Sequence, residues 1–350
     1  MPRSDAPPLT TSALLALPPR PRPPSDTPPL RALLRGYGVG EPLGCVPVAQ
    51  GLLNRGYRVD TAGGRYFLKH HLDGDSAAVV RRHRAVRRLA ELGVPVAAPL
   101  SDAAGGTVTV VDGRCYALHP WVEGRHRQGA QLTAAQSRTL GALLGFVHAC
   151  LARVMGAPAG EHPSADPAET RGLIELLLPL ARGAGPYDAF DALAEQRLTE
   201  RLRLLDAHGH RRPPPGGATG WVHGDFHPLN LLYRGTRPVA VVDWDRLADG
   251  PRAEEAVRAA AIFFLRPSGA LDLEKVRAYA GAYRRAAGAD GAELAAAVHR
   301  VWWERLNDFW MLRWRYLRHD RRADAQIPAA SALVVWWTKE YEAVEAAFAE

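Results

Sequence analysis

Cysteine is scarce: Cys45, Cys115 and Cys150 are the only three in 350 residues, and they lack CxxC spacing or a paired framework. A disulfide-stapled secreted fold or a cysteine zinc site needs more, so the three read as buried thiols in a reducing compartment. Also missing is any apolar run of the roughly eighteen to twenty residues that a membrane span requires. The best are short pieces such as AAIFFL. The expectation is a soluble, cytoplasmic protein with no membrane partner. Charge is not strongly one-sided either. The net +7 comes from 44 basic against 37 acidic residues. The Ala, Arg, Gly and Pro enrichment looks like that of a GC-rich genome, so the basic excess argues only weakly for nucleic acid and suits a phosphorylated nucleotide equally. No internal repeat is present.

Residues 1–30 hold too much proline for a helix or strand and too little apolar surface to fold alone. They read as a mobile leader, and SALLALPP breaks at proline before a signal-peptide core can form. The remaining length is enough for two lobes around a cleft. From 46 to 121, short β-type runs dominate: VPVAQGLL, GYRVDTAG, RYFLKHHL, TVTVVDG and RCYALHPW. TAGG and VDGR are hairpin turn signals. One arginine-rich helix is expected over 77–92, ended by Gly93 and Pro95.

Beyond Gly124 the period becomes helical. LTAAQSRTLGALLGFVHACLARV has Thr133 as its cap, and a second helical region is expected over 169–206. Two brief strands follow, around Val222 and over 239–243, and helices fill the rest. The expected fold class is α+β and bilobal: a leader over 1–30, a small lobe over 31–121 with an antiparallel sheet and one helix, and a mainly helical lobe over 122–350.

The chemistry concentrates in WVHGDFHPLN. His223, Asp225 and His227 alternate, so on an extended strand they would share a face and could close on a metal. A hydrolase metal site needs further ligands at comparable spacing, and no second cluster is obvious. Phosphoryl transfer needs phosphate-bound metal ligands, a cation and a carboxylate for the attacking hydroxyl. Each has a candidate in kinase order. Lys69 ends the strand RYFLK, after the turn GLLNRG. Asp225 and Asn230 stand five apart, the interval in the kinase loop H-R-D-L-x-x-x-N. Asp243 closes VAVVD.

HGDFHPLN followed by VVDWD resembles the aminoglycoside phosphotransferase and choline kinase superfamily, small-molecule kinases with a protein-kinase-like fold. QGLLNRGYRV with YFLK resembles its nucleotide loop and lysine strand, LGVPVAAPL its post-helix segment, YALHPWVEG its hinge, and LGALLGFVH the helix into the lower lobe. The resemblance spans about 46–260. It implies an ATP- and Mg²⁺-dependent kinase acting on an alcohol group, with Asp225 as base, Asn230 and Asp243 as metal ligands, and Lys69 on the α- and β-phosphates. Gly51, Asn54 and Gly56 would lie over the phosphates, with backbone near Leu118 and Trp121 holding the base. His223 is expected to steady the loop and His227 to position it or pack beneath it.

In protein kinases the strand lysine pairs with a glutamate on the next helix. VVRRHRAVRRLAEL instead has Arg82 and His83 there, with Glu91 at the far end. Lys69 must then be steered by another group such as Asp73 or Asp75, or held by the nucleotide and Asp243 alone. For the acceptor the family offers antibiotics, amino alcohols, homoserine and sugars. Asp245, Glu304 and Asp308 are candidates to meet it. Intrahelical pairing with Arg305 or Arg313 is the rival for Glu304 and Asp308. Two other functions stay open: a Ser/Thr kinase acting on peptides in natural-product biosynthesis, and a silent nucleotide-binding regulator. The run RRHRAVRR lacks interleaved aromatics and reads as a solvated helix face rather than a nucleic-acid site. Trp303, Leu306, Trp310, Trp314 and Leu317 recur at helical spacing and read as core.

Overall fold

The computed structural model describes residues 28–48, 54–72, 75–183, 185 and 187–350. Residues 1–27 of the segment read as a leader over 1–30, residues 49–53 with Gly51, and Asp73 lie outside them. A five-stranded antiparallel sheet is built from β1 (Pro42–Val48), β2 (Arg55–Thr61), β3 (Gly64–His71), β4 (Thr109–Val111) and β5 (Arg114–Pro120), in the order β1-β2-β3-β5-β4. The VDGR turn reverses the chain because Asp112 and Gly113 both adopt positive φ, 50° and 73°, as a two-residue hairpin of matching twist requires. Inward residues Tyr57, Val59, Leu68, Tyr116 and Leu118 meet Leu33 and Leu34 of a short helix, Leu30–Leu34, in a small core.

The helix expected over 77–92 runs Ser76–Glu91. Asp75 starts it by accepting from Ala78 N–H at 2.8 Å, and Gly93 with φ 85° ends it. Its residues Ala85, Val86 and Leu89 do not pack in the small core. They belong to the large core of the helical half, so this helix is fastened to that half.

Helix Ala134–Val154 begins at Thr133, whose hydroxyl accepts from Gln136 N–H at 3.3 Å while the Gln136 side chain answers to Thr133 N–H at 3.0 Å. It lies closely along helix Leu273–Ala287, and a Cβ at Gly141 would sit 2.1 Å from Tyr279 O. The expected helical region over 169–206 is two helices, Pro167–Arg182 and Ala189–His208, broken after Gly183. The tryptophan stripe is likewise split: Trp303 and Leu306 are buried in helix Gly291–Asn307, whereas Trp310 and Trp314 of helix Trp310–Arg318 are half-buried and pack edge to face. No described helix is long and apolar enough to cross a membrane.

Short strands frame the loop over 223–230. Gly220–Val222 pairs with Ala248–Gly250, and Leu231–Arg234 pairs with Arg237–Val241. Strands 231–234 and 248–250 were not anticipated, because four and three residues are too few to display a period of two. The strand expected to reach Asp243 stops at Val241, and Asp243 itself turns out with φ 62°. Left-handed backbone is costly for a residue with a Cβ and concentrates at functional sites.

Candidate active site

His223 is fully buried beneath the loop. Its Nε2 donates to Val242 O at 3.0 Å and its Nδ1 accepts from Asp225 N–H at 3.2 Å. Both ring nitrogens are therefore spent on backbone, and burial holds the imidazole pKa below its ordinary value. It is a strut, which removes it from any metal triplet. The Nδ1 of His227 accepts from Leu229 N–H at 3.2 Å, and its Nε2 lies 3.5 Å from Asp225 Oδ2 and 3.2 Å from Asn230 Nδ2. Arg246 Nε lies 3.9 Å from the same oxygen. Burial raises the proton affinity of Asp225, but His227 and Arg246 outweigh it and keep the carboxyl below its usual range.

Asn230 ties this loop to the next segment. Its side-chain Nδ2 donates to Asp225 O at 2.8 Å, and its backbone carbonyl accepts from Val242 N–H at 2.9 Å. The first bond fixes the amide, so Oδ1 is the atom left to accept. The second sets Asp243, the next residue, beside Asn230.

Lys69 reaches in from β3. Its Nζ is 2.6 Å from Asp243 Oδ1 and 2.7 Å from Asp245 Oδ2. Burial disfavours the ammonium, yet the two carboxylates prevail and raise its pKa. Asn54 Nδ2 donates to the same Asp245 oxygen, and Asn54 Oδ1 accepts from Leu72 N–H at 3.0 Å. Gly56 pairs with Lys69 in the sheet, where a Cβ would lie 2.7 Å from the Phe67 ring.

The other expected residues have the following partners. Asp75 is committed to the helix cap and does not steer Lys69. Asp245, expected towards the acceptor, is on Lys69 instead. Leu118 is fully buried and its carbonyl accepts from Leu100 N–H at 2.8 Å, while Trp121 N–H donates to Arg65 O at 3.2 Å. Glu304 pairs with neither Arg305 nor Arg313: Arg258, from helix Arg252–Phe263, grips it through Nε at 3.0 Å and Nη2 at 2.6 Å. The Asp308 side chain caps Trp310 N–H at 3.0 Å, and burial raises its pKa. Among the described residues neither acid is bonded to the 223–230 loop.

Sequence reading missed Glu255. This buried carboxylate accepts from the backbone N–H groups of His223, at 3.0 Å, and Gly224. His148 Nε2 donates to it at 2.8 Å, and Tyr283 OH sits 3.0 Å from His148 Nδ1. Burial alone would raise its pKa, but His148 and the backbone donors hold it down. The available signal was an acid in the apolar run RAEEAVRAAAIF, next to the buried Ala256 and Val257.

The fold has solved counterparts. An amicoumacin kinase, 18% identical, superposes with a TM-score of 0.60 over 91% of this chain and 92% of its own. A spectinomycin phosphotransferase, APH(9)-Ia, 15% identical, gives 0.60 over 91% and 97%. The architecture is therefore the kinase-like one, with a five-stranded N-terminal sheet and a larger helical part. The sequence profile of the phosphotransferase enzyme family matches residues 44–289, and the chain belongs to that family. It is a small-molecule phosphotransferase with an alcohol group as acceptor. Among named relatives, a homoserine kinase of Methylobacillus flagellatus is 26% identical over 295 residues, covering 82% of this chain and 87% of that protein.

Proposed function

We propose that the enzyme moves the γ-phosphoryl group of ATP, bound with magnesium between residues 31–121 and 122–350, to a hydroxyl of a small molecule held against Asp225. The observation that carries this reading is the double use of Asn230. One residue bonds both the Asp225 carbonyl and the Val242 N–H, so the segment that carries Asp225 and the segment that leads into Asp243 are both tied to Asn230. Asn230 Oδ1 and Asp243 are hard oxygen donors of the kind that would hold Mg²⁺. When bound, that ion supplies charge neutralisation on the phosphates.

The chain's own groups do the rest. Lys69 turns from Asp243 to the nucleotide phosphates. Asp225, ionised and aimed by His227 and the loop backbone, accepts the acceptor's O–H. A carboxylate with depressed proton affinity is a weak base, which suits a loose transition state in which the proton leaves late and alignment dominates. Arg258 with Glu304, and Asp308 beyond them, are the charges proposed to face the acceptor. The amicoumacin kinase structure contains AMP-PNP and Ca²⁺ and the APH(9)-Ia structure contains ADP, which supports a nucleotide in the corresponding cleft here.

Homoserine heads the list of acceptors because the similar curated proteins are named for it. ADP release with ATP, Mg²⁺ and a panel of homoserine, amino alcohols, aminoglycosides and spectinomycin tests the reading. Turnover on at least one acceptor, abolished in Asp225→Ala with folding intact, is the expected result. Equal phosphorylation by Asp225→Ala would remove Asp225 from the reaction.

A further inference from the structure

We propose that Asp245 replaces the missing helix glutamate as the positioning residue for Lys69, so that the lysine clamp spans the cleft instead of joining the sheet to its own helix. Three side chains meet at one oxygen: Asp245 Oδ2 receives Lys69 Nζ at 2.7 Å and Asn54 Nδ2. His71 Nδ1 stands 3.9 Å from the other oxygen. Asn54 is itself anchored through Leu72 N–H, so the acid is held from the sheet side as well as by its own segment.

The helix that normally supplies the acid has no means to do so. It turns His83 inward, edge-on to both His71 and His119 with ring centroids 6.1 and 5.6 Å away. His83 Nδ1 is bonded to Thr107 Oγ1 at 2.9 Å. The helix is also fastened to the helical half through Ala85, Val86, Leu89 and an Arg88 bond to Val154 O at 3.3 Å. A clamp that depends on this helix swinging in, the usual control point of protein kinases, is absent. The clamp here stands without it.

On the reading above the Asp243 carboxylate would be committed to the metal with nucleotide bound, so Asp243 is not the lasting partner of Lys69. Its side chain is 43% exposed against 23% for Asp245. The more enclosed Asp245 can keep one Lys69 N–H bond while the others turn to phosphate. The rival assignments for Asp245 are a second metal ligand and an acceptor contact.

The chain has three lysines, Lys69, Lys275 and Lys339, so site-resolved acetylation of the nucleotide- and metal-free protein, read by mass spectrometry, isolates the clamp. Asp245→Asn should speed acetylation of Lys69 on the order of tenfold, the scale of one lost charged hydrogen bond, with Lys275 and Lys339 unchanged. The same variant should raise the KM for ATP by roughly tenfold or more with little change in the Mg²⁺ concentration needed for half-maximal rate. His83→Gln should leave Lys69 protection within about twofold, since it removes no charged partner. Unchanged Lys69 protection in Asp245→Asn, a shifted Mg²⁺ requirement with protection intact, or exposure of Lys69 by His83→Gln would each overturn the assignment. If Asp245→Asn accelerates all three lysines together by loosening the fold, Asn54→Ala takes its place: faster labelling of Lys69 alone supports the clamp and unchanged labelling refutes it. The KM arm rests on the proposed phosphotransfer. The labelling arm uses no nucleotide, so its failure is distinct from failure of the acceptor panel.

Discussion

The 223–230 loop and the lysine that β3 carries are secured by different means. The loop is held through its backbone: Glu255 takes two consecutive N–H groups, His223 props Val242 and Asp225, and Asn230 closes the circuit. Lys69 is held only by side chains, and those come from the far side. Backbone bonds to a buried charge leave few alternative geometries, whereas side-chain ion pairs at a cleft edge can be exchanged. The difference fits what each part has to do. The loop must present Asp225 in one position, and the lysine must trade a carboxylate for phosphate in each cycle.

The largest effect is expected at the rigid side. Asp225→Asn should lower kcat by about 10³-fold, within the range for a positioned acid or base, with ATP affinity and the thermal unfolding midpoint near wild type. Next, Glu255→Gln removes the charge that organises two backbone N–H groups and His148. Breaking such a buried pair costs about 3 kcal/mol, so urea unfolding should shift clearly to lower midpoint together with a fall in kcat. Lys69→Ala should instead weaken kcat/KM for ATP while the urea midpoint stays close to wild type. If both variants lowered the midpoint equally, the contrast between a fixed loop and an exchangeable lysine would be lost.

A third expectation concerns pH and separates the sheet side again. Burial, helped by neighbouring positive groups, pushes His83 down to about 3 and His119 down to about 4. The unfolded chain binds these protons near pH 6.5, while the folded chain refuses them until about pH 3 to 4. Between those limits the unfolded state carries more protons, so stability rises with pH across the window and is lost as pH falls through it. Melting temperatures measured from pH 7 down to 4.5 should decline, and His83→Gln should flatten the slope. The smallest effect is a control remote from both regions: Thr133→Ala deletes a helix cap worth about 1 kcal/mol, and should lower the midpoint slightly without touching turnover.

Legibility followed distance along the chain. The hairpins at TAGG and VDGR, the Thr133 cap and the five-residue interval from Asp225 to Asn230 are local, and each is written in a few consecutive residues. The gap in the 76–91 helix, where Arg82 and His83 stand in place of an acid, was equally plain. Its remedy was not. Asp75 looked suitable and proved to be spent on Ala78 N–H, while Asp245 looked like an acceptor contact and lies on Lys69. Glu304, a candidate to meet the acceptor with intrahelical pairing as the rival, meets Arg258 from another helix.

From the sequence alone came the class of fold, the order of the reactive residues and the loop that holds Asp225 and Asn230 together, because spacing over a few positions fixes which side chains share a turn. Tertiary packing decided the partners. Lys69 and Asp243 lie 174 positions apart, Asn54 and Asp245 lie 191 apart, and His148 and Glu255 lie 107 apart. The first two pairs form only when the helical half comes against the sheet, and the third when helices Ala134–Val154 and Arg252–Phe263 pack in the large core; nothing in the local pattern selects one distant carboxylate over another.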